Sequence, residues 1–198
     1  MKQEQVGELL LQALETELGG VEIYSAAVEC ALDKGLRQEW SKYLEQTKHH
    51  VEVVEGLLDD FGLTPKDTTP GRDVAHHLGT ALVKAIKMAQ SDGPPEAAQL
   101  VAAEAVTLAE TKDHLNWELI GQVARAGKGD RARALLAAYE EVEAQEDEHL
   151  YHTTGWGREL WLKSLGLPAV LPPPEERRDV KTAIGAARAK NARQEDLN

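Results

Sequence analysis

The chain has 198 residues, enough for one domain with a buried core, and its 42% hydrophobic and 28% charged residues are typical of a globular protein. Its net charge of −12 argues against a nucleic acid or an anionic membrane as the main partner, and no apolar run is long enough to span a membrane. The single cysteine, Cys30, excludes an internal disulfide, and the N-terminus lacks a signal peptide's apolar stretch, so we expect a cytoplasmic location.

The first two predicted helices are joined by a short connection. Abundant Ala, Leu, Glu and Lys favour helices over strands. We expect the first helix to run from about Gln3 to Asp33 and to end at Gly35. The second begins near Leu36 and ends in the segment DDFGLTP, where Gly62 is the expected C-terminal cap and Pro65 follows it.

A longer connection separates this pair of helices from the next pair. It contains the loop TPKDTTPGRD and a shorter helix, VAHHLGTALVKAIKMAQ, for which Asp73 is the expected N-cap. The shorter helix stops at SDGPP. Pro94 and Pro95 suit the first turn of a third long helix, which reaches about Ala126.

The fourth long helix follows the tight connection AGKGD. We expect Asp130 to cap it and the helix to run to Gly166, with Gly155 and Gly157 as the places where a bend would form. Short connections make antiparallel neighbours, and the long one lets the second and third long helices run parallel. The sequence therefore predicts an all-α, up-down-down-up four-helix bundle over residues 1–166, followed by a Pro-rich linker and basic tail over residues 167–198.

The fourth long helix carries two ionisable residues on its apolar face. Steps of three and four residues select Leu135, Tyr139, Val142, Glu146, His149, Thr153, Trp156 and Leu160. Glu146 and His149, in the motif EDEH, are therefore expected to point toward the core. Either residue alone would be weak support for a site, because a lone inward Glu usually snorkels or pairs with Lys, and a core His usually has a hydrogen-bonding partner.

The first two helices show the same feature. The inward face of the first contains Glu17 and, two turns later, Tyr24. The inward face of the second contains Thr47 and His50. Other acidic residues and histidines of these helices fall beside or opposite the apolar faces, namely Glu15, Glu22, Glu45, His49 and Glu52.

The inward face of the third long helix is less sharply defined, because Ala occurs on all its faces. The preferred track is Ala103, Val106, Glu110, Asp113, Trp117, Ile120 and Ala124. A rival track through Val101, Glu104, Leu108 and Leu115 would bury Glu104 instead. We prefer Glu110, because Trp117 follows it by seven residues as Tyr24 follows Glu17.

Five inward ionisable residues from four helices are expected to meet at a similar depth. They are Glu17, His50, Glu110, Glu146 and His149. Neither Lys nor Arg lies near them on the apolar faces, and burying an unpaired ion costs several kcal/mol, whereas a whole domain is stable by only about 5–15 kcal/mol. A divalent cation removes this cost, and carboxylate and imidazole ligands suit iron or manganese, with zinc as a further candidate.

This pattern resembles the ferritin-like di-iron carboxylate superfamily, which includes ferritins, bacterioferritins and rubrerythrins. That fold is a four-helix bundle with one long crossover, in which two helices each supply a Glu and two each supply a Glu-x-x-His motif. The resemblance covers roughly Gln3 to Leu165. Glu17 with Tyr24, Glu110, and Glu146 with His149 carry the family pattern, and His50 matches the first motif histidine.

One position departs from the family pattern. The Glu expected three residues before His50 is Thr47. Substitute ligands would be Glu45, His49 or Glu52 if the helix phase were shifted by one residue, and His114 is a further candidate. Because Thr47 supplies no charge, we expect the position near Glu17 and His50 to fill with metal last or to stay empty.

The resemblance implies oxygen or peroxide chemistry at a two-metal centre of iron or manganese. We expect a ferroxidase, an oxidase or a peroxide-stress protein that acts with O₂ or peroxide, and a homo-oligomer such as a dimer. The rival interpretation is a non-enzymatic helical-bundle protein, structural or interacting with a partner, whose metal site is incomplete or holds a single ion. His76 and His77, in the extra helix of the crossover, are interpreted as surface residues.

Overall fold

The computed structural model describes residues 2–170 and Pro174, and the all-α class is confirmed for this part of the chain. The five helices are α1 (Gln3–Cys30), α2 (Lys34–Phe61), α3 (Pro70–Asp92), α4 (Pro95–Ala126) and α5 (Asp130–Ser164). The described residues contain no strand. The predicted linker and basic tail lie outside the described residues from residue 171 onward, apart from Pro174.

Two helix starts differ from the prediction because other residues cap them. Asp33 accepts hydrogen bonds from the backbone amides of Gly35 and Leu36, so Gly35 belongs to the first turn of α2 and does not end α1. Thr69 caps α3 by accepting from the amide of Arg72, so Asp73 lies inside the first turn. The expected C-terminal cap of α2 is confirmed, since Gly62 has the left-handed φ of 71°.

The helix boundaries in the second half of the chain lie close to the predicted ones. α4 starts directly after Pro94, and Pro95 occupies its first turn. α5 starts one residue earlier than expected: Gly129 is the N-cap in place of Asp130, and Asp130 places a negative charge in the first turn. The helix continues without interruption through Gly155 and Gly157.

The four long helices contact each other in a ring. α1 packs against α2 and α4, and α5 packs against the same two helices, while α3 lies across α1 and α4. Trp117 bonds to Glu17 and Gln99 bonds to the Leu32 amide, so α1 and α4 run antiparallel. Hydrogen bonds between α2 and α5 show that these two helices are also antiparallel, with the start of α2 next to the end of α5. Among the described residues, none of the helices is both long and apolar enough to cross a membrane.

Two apolar clusters fill the interior, one toward each end of the long helices. One contains Tyr24, Leu36, Trp40 and Tyr43, and the other contains Leu10, Leu14, Val54, Trp117 and Leu135. Along every long helix the predicted ionisable residue falls between its contributions to the two clusters. The interior is therefore a layered arrangement, with a thin polar layer enclosed by apolar side chains on both sides.

Candidate metal centre

The polar layer contains the five residues selected from the sequence. Their exposed fractions are 0% for Glu17, His50 and His149, 1% for Glu146 and 3% for Glu110. These values place the ionisable groups as deep as the largest apolar side chains of the core. A buried layer of three carboxyl groups and two imidazoles needs a source of positive charge.

The five side chains form two groups that share Glu146. One group is Glu17, His50 and Glu146, and the other is Glu110, Glu146 and His149; within each group the candidate ligand atoms all lie within 4.8 Å of one another. Glu146 Oε1 is 3.0 Å from His50 Nδ1 and 3.5 Å from His149 Nδ1. A carboxylate placed between two imidazoles in this way can bridge two cations.

Each histidine also contacts a glutamine on the facing helix. His50 Nε2 lies 3.1 Å from Gln145 Oε1, and His149 Nε2 lies 3.1 Å from Gln46 Oε1. A glutamine oxygen only accepts hydrogen bonds, so Nε2 carries the hydrogen in both rings and donates it. In the neutral rings, Nδ1 then presents a lone pair to the carboxylates, which is the tautomer that a metal ligand needs.

Several buried ligand atoms have no hydrogen-bond partner. They are Glu17 Oε2, Glu110 Oε2, both carboxylate oxygens of Glu146, and Nδ1 of His50 and His149. Lone pairs that face one another at about 3–4 Å repel unless a proton or a cation lies between them. The donor set therefore fits a divalent metal ion. Without an ion, a proton on His50 supplies positive charge to the carboxylates.

The carboxylates at the ends of the layer lie next to aromatic residues of the opposite helix. Trp117 Nε1 of α4 donates a 2.7 Å hydrogen bond to Glu17 of α1. Burial and, next, the charge of Glu110 raise the pKa of the α1 residue Tyr24 well above its ordinary value, so the phenol stays protonated. The two halves of the chain thus repeat one arrangement, in which an aromatic residue follows each Glu and faces the Glu of the other half.

Two carboxyl groups of the layer, Glu110 and Glu146, have raised pKa values. Burial raises the pKa of Glu110 to about 8. Burial, followed by the charge of Glu110, raises the pKa of Glu146 to about 7. Buried carboxylates close to one another compete for protons, so Glu110 and Glu146 can accept and release protons near neutral pH.

The two histidines differ in protonation. Burial works to lower the pKa of His50, but the nearby carboxylates of Glu146 and Glu17 outweigh burial and raise the pKa to about 11. Burial lowers the pKa of His149 to about 4. The metal-free centre therefore contains one imidazolium, at His50, and one neutral imidazole.

The other residues considered from the sequence lie outside the centre. Thr47 is buried, but its hydroxyl donates to the Tyr43 carbonyl. Glu45, His49 and Glu52 are exposed, and the side chain of His114 pairs with Asp147 at 2.7 Å. Glu104 is exposed, so the rival track on α4 is wrong. His76 and His77 are exposed as expected, although His76 reaches Glu15 beneath α3.

Three residues of the polar layer were not assigned a role from the sequence. Gln46 and Gln145 each precede a histidine by four residues, and this repeated Gln-x-x-x-His spacing was a usable signal. Asp113 lies on the preferred inward track of α4, is 5% exposed, and has an Oδ1 without a partner. The sequence shows that Asp113 lies one turn after Glu110, but it does not show that Glu17 of α1 is a neighbour of Asp113.

Comparison with protein-family models, curated proteins and solved structures finds no match to this chain.

Proposed function

We propose that the chain is a ferritin-like metal protein that binds two iron or manganese ions in an up-down-down-up bundle and acts on O₂ or peroxide. One observation carries the proposal: two buried groups of carboxylate and imidazole atoms share Glu146, and several of their ligand atoms lack hydrogen-bond partners. The antiparallel pairings α1 with α4 and α2 with α5 support the bundle order.

The residues would form two sets of metal ligands with one shared member. Glu17 and His50 would hold one, Glu110 and His149 the other, and Glu146 would contact both. Oxygen and nitrogen donors of this kind are suited to iron and manganese. When bound, such ions supply the electrons that reduce O₂ or peroxide while ferrous iron or another substrate is oxidised.

The enclosure restricts what can reach the centre. The side chains of His50 and His149 are fully buried, and the Tyr43 ring lies over the His149 ring with 4.3 Å between centroids. A large substrate would have to separate the helices, whereas O₂, peroxide or a metal ion is small enough to enter through side-chain motion.

A second candidate function is a non-enzymatic helical protein with an incomplete centre. Thr47 favours it, because its hydroxyl is bonded to a backbone carbonyl and offers no charge to a cation. The two candidates differ in the oxidation of added ferrous iron: an enzyme accelerates it with turnover, and an incomplete centre binds metal without turnover.

Replacing Glu146 and His149 together with Ala is expected to abolish binding of iron and manganese, because Glu146 belongs to both groups and His149 to one of them. Elemental analysis of protein purified without an affinity tag measures the metal, and circular dichroism tests that the helices persist. The matched control replaces Glu45 and His49 with Ala, which removes the same residue types from an exposed position on α2. Unchanged metal content in the Glu146 and His149 variant would refute the proposed centre.

The glutamines provide a finer test of the same centre. Gln145→Leu is expected to weaken metal binding by roughly 10–100-fold, because the His50 ring loses the acceptor that fixes its tautomer and orientation. Gln46→Leu should do the same through His149. Competition titration against a chelator of known affinity measures both effects, and affinities equal to that of the unmodified protein would show that the histidines are not ligands.

A further inference from the structure

A cavity outside the metal centre lies beneath α3. It has a volume of about 290 Å³ and is bordered by α1, α3 and α4. Because α3 lies across α1 and α4, outside the ring of long helices, the cavity exists only through this fifth helix. Sites for small molecules usually have roughly 300–1,000 Å³, so the cavity has room for a small ligand. Its wall is mainly apolar and includes Ile23, Ala75, Leu78, Leu82 and Leu108.

α3 is fixed to α1 along the wall of this cavity. Gly19 and Gly79 both line it, and the two helices come so close that a Cβ at Gly79 would lie 3.4 Å from the Gly19 Cα. Glu15 also lines the cavity, and both its carboxylate oxygens are paired with α3. Arg72 Nε donates to Oε2 at 2.8 Å, and His76 Nδ1 lies 2.7 Å from Oε1. The negative charge of Glu15 is therefore compensated by Arg72, and an anion in the cavity does not meet an unpaired carboxylate there.

A lysine of α4 lines the same cavity without an ionic partner. The ammonium group of Lys112, a partly buried residue, donates a hydrogen bond to Asn116. Asn116 is 1% exposed and donates at 3.1 Å to Thr16, another residue of the cavity wall, so the ammonium group is held at the seam between α1 and α4. None of the carboxylates in the described part of the chain forms an ion pair with it. An ammonium group has three donors, so donors remain for a ligand after the bond to Asn116.

We propose that this cavity binds a medium-chain fatty acid, with the carboxylate on Lys112 and the hydrocarbon chain against the apolar wall. An apolar wall with one unpaired cation is complementary to a molecule that has an apolar body and a single negative charge. Leu78 and Leu108 line the cavity and are 51% and 61% exposed, so a bound chain would remove apolar surface of both from water. The inference does not depend on the metal centre.

The experiment is a calorimetric titration of the full chain with octanoate, octanol and octylamine, which share one hydrocarbon chain and differ in the head group. We expect octanoate to bind at least roughly 10-fold more tightly than the other two. Lys112→Met keeps an unbranched side chain and removes the charge, so it should weaken octanoate binding by roughly 10–100-fold and leave octanol binding unchanged. The matched control is Lys84→Met, which removes an exposed lysine of α3 that does not line the cavity and should leave octanoate affinity unchanged.

A second variant tests the apolar wall independently of Lys112. Leu78→Asp places a negative charge where the hydrocarbon chain would lie, at a residue exposed enough for a polar side chain to reach water. We expect it to weaken octanoate binding by at least roughly 10-fold, with circular dichroism showing that the helices persist.

Three results would overturn the proposal. The first is that the unmodified chain does not bind octanoate, or binds octylamine as tightly. The second is that Lys112→Met and Lys84→Met change octanoate affinity equally, which would show attraction to positive charge in general. The third is a dimer that does not bind octanoate and that Leu78→Asp dissociates, which would show that a second copy of the chain covers this face. Metal content of the purified protein tests the proposed function separately.

Discussion

Removal of the metal is expected to lower the free energy of unfolding by about 4 kcal/mol when the ion is present at roughly 1,000 times its dissociation constant. For a chain of this length, that change corresponds to a fall in melting temperature of roughly 8–16 °C. The physical reason is that the folded chain assembles the buried oxygens and nitrogens of four helices around the ion, and the unfolded chain does not. Differential scanning calorimetry before and after chelation measures the effect.

The effect should increase with pH, because the metal-free protein loses stability as pH rises while metal binding becomes stronger. The pKa of Glu110 is about 8 in the folded chain, against an ordinary 4.5, so the folded chain binds more protons than the unfolded chain through this range. His50 acts in the same sense, since its pKa rises from 6.5 to about 11. Stability of the metal-free protein therefore falls as pH rises from 7 to 9.

The lowered pKa of His149 acts in the opposite sense, but only between about pH 4 and 6.5, below the range in question. Bound metal replaces the protons of the centre, so metal affinity rises with pH. The difference in melting temperature between metal-bound and metal-free protein should thus be larger at pH 9 than at pH 7. A difference that shrinks with pH would contradict ligation through these titrating side chains.

Helical periodicity predicted the depth of the centre because it fixes which residues of one helix share a face. Glu17, His50, Glu110 and Glu146 each lie between two apolar turns of their own helix, and this local fact is sufficient to bury them. Helix starts were harder to predict. Thr69 and Asp73 are both acceptable N-caps, and the choice depends on packing of α3 against α1, where Arg72 reaches Glu15.

Contacts between helices could not be predicted, because periodicity does not give the rotation or axial offset of one helix against another. Asp113 was on the inward track of α4, yet its partner Glu17 belongs to α1. Gln46 and Gln145 lie beside the apolar faces of their own helices and reach the histidine of the facing helix. Periodicity also could not predict where the Thr47 hydroxyl points. In the structure the hydroxyl donates to the Tyr43 carbonyl of its own helix and not to a residue of the centre.

Replacing Thr47 with Glu is expected to tighten the binding of a second metal ion. Glu at residue 47 would lie three residues before His50, the spacing that Glu146 and His149 already have on α5, so the new carboxylate would be on the same face as the ring. The Thr47 hydroxyl donates to the Tyr43 carbonyl and offers no charge to a cation. The added carboxylate would therefore supply the negative charge that the position near Glu17 and His50 lacks.

The effect is measured by titration with Co²⁺ and by the rate at which added ferrous iron is oxidised. The Thr47→Glu variant should bind the second ion more tightly and oxidise ferrous iron faster, because two-metal chemistry needs both ions at about 3.5–4 Å from each other. Two equally tight ions in the unmodified protein would show that its centre is complete without a carboxylate at residue 47.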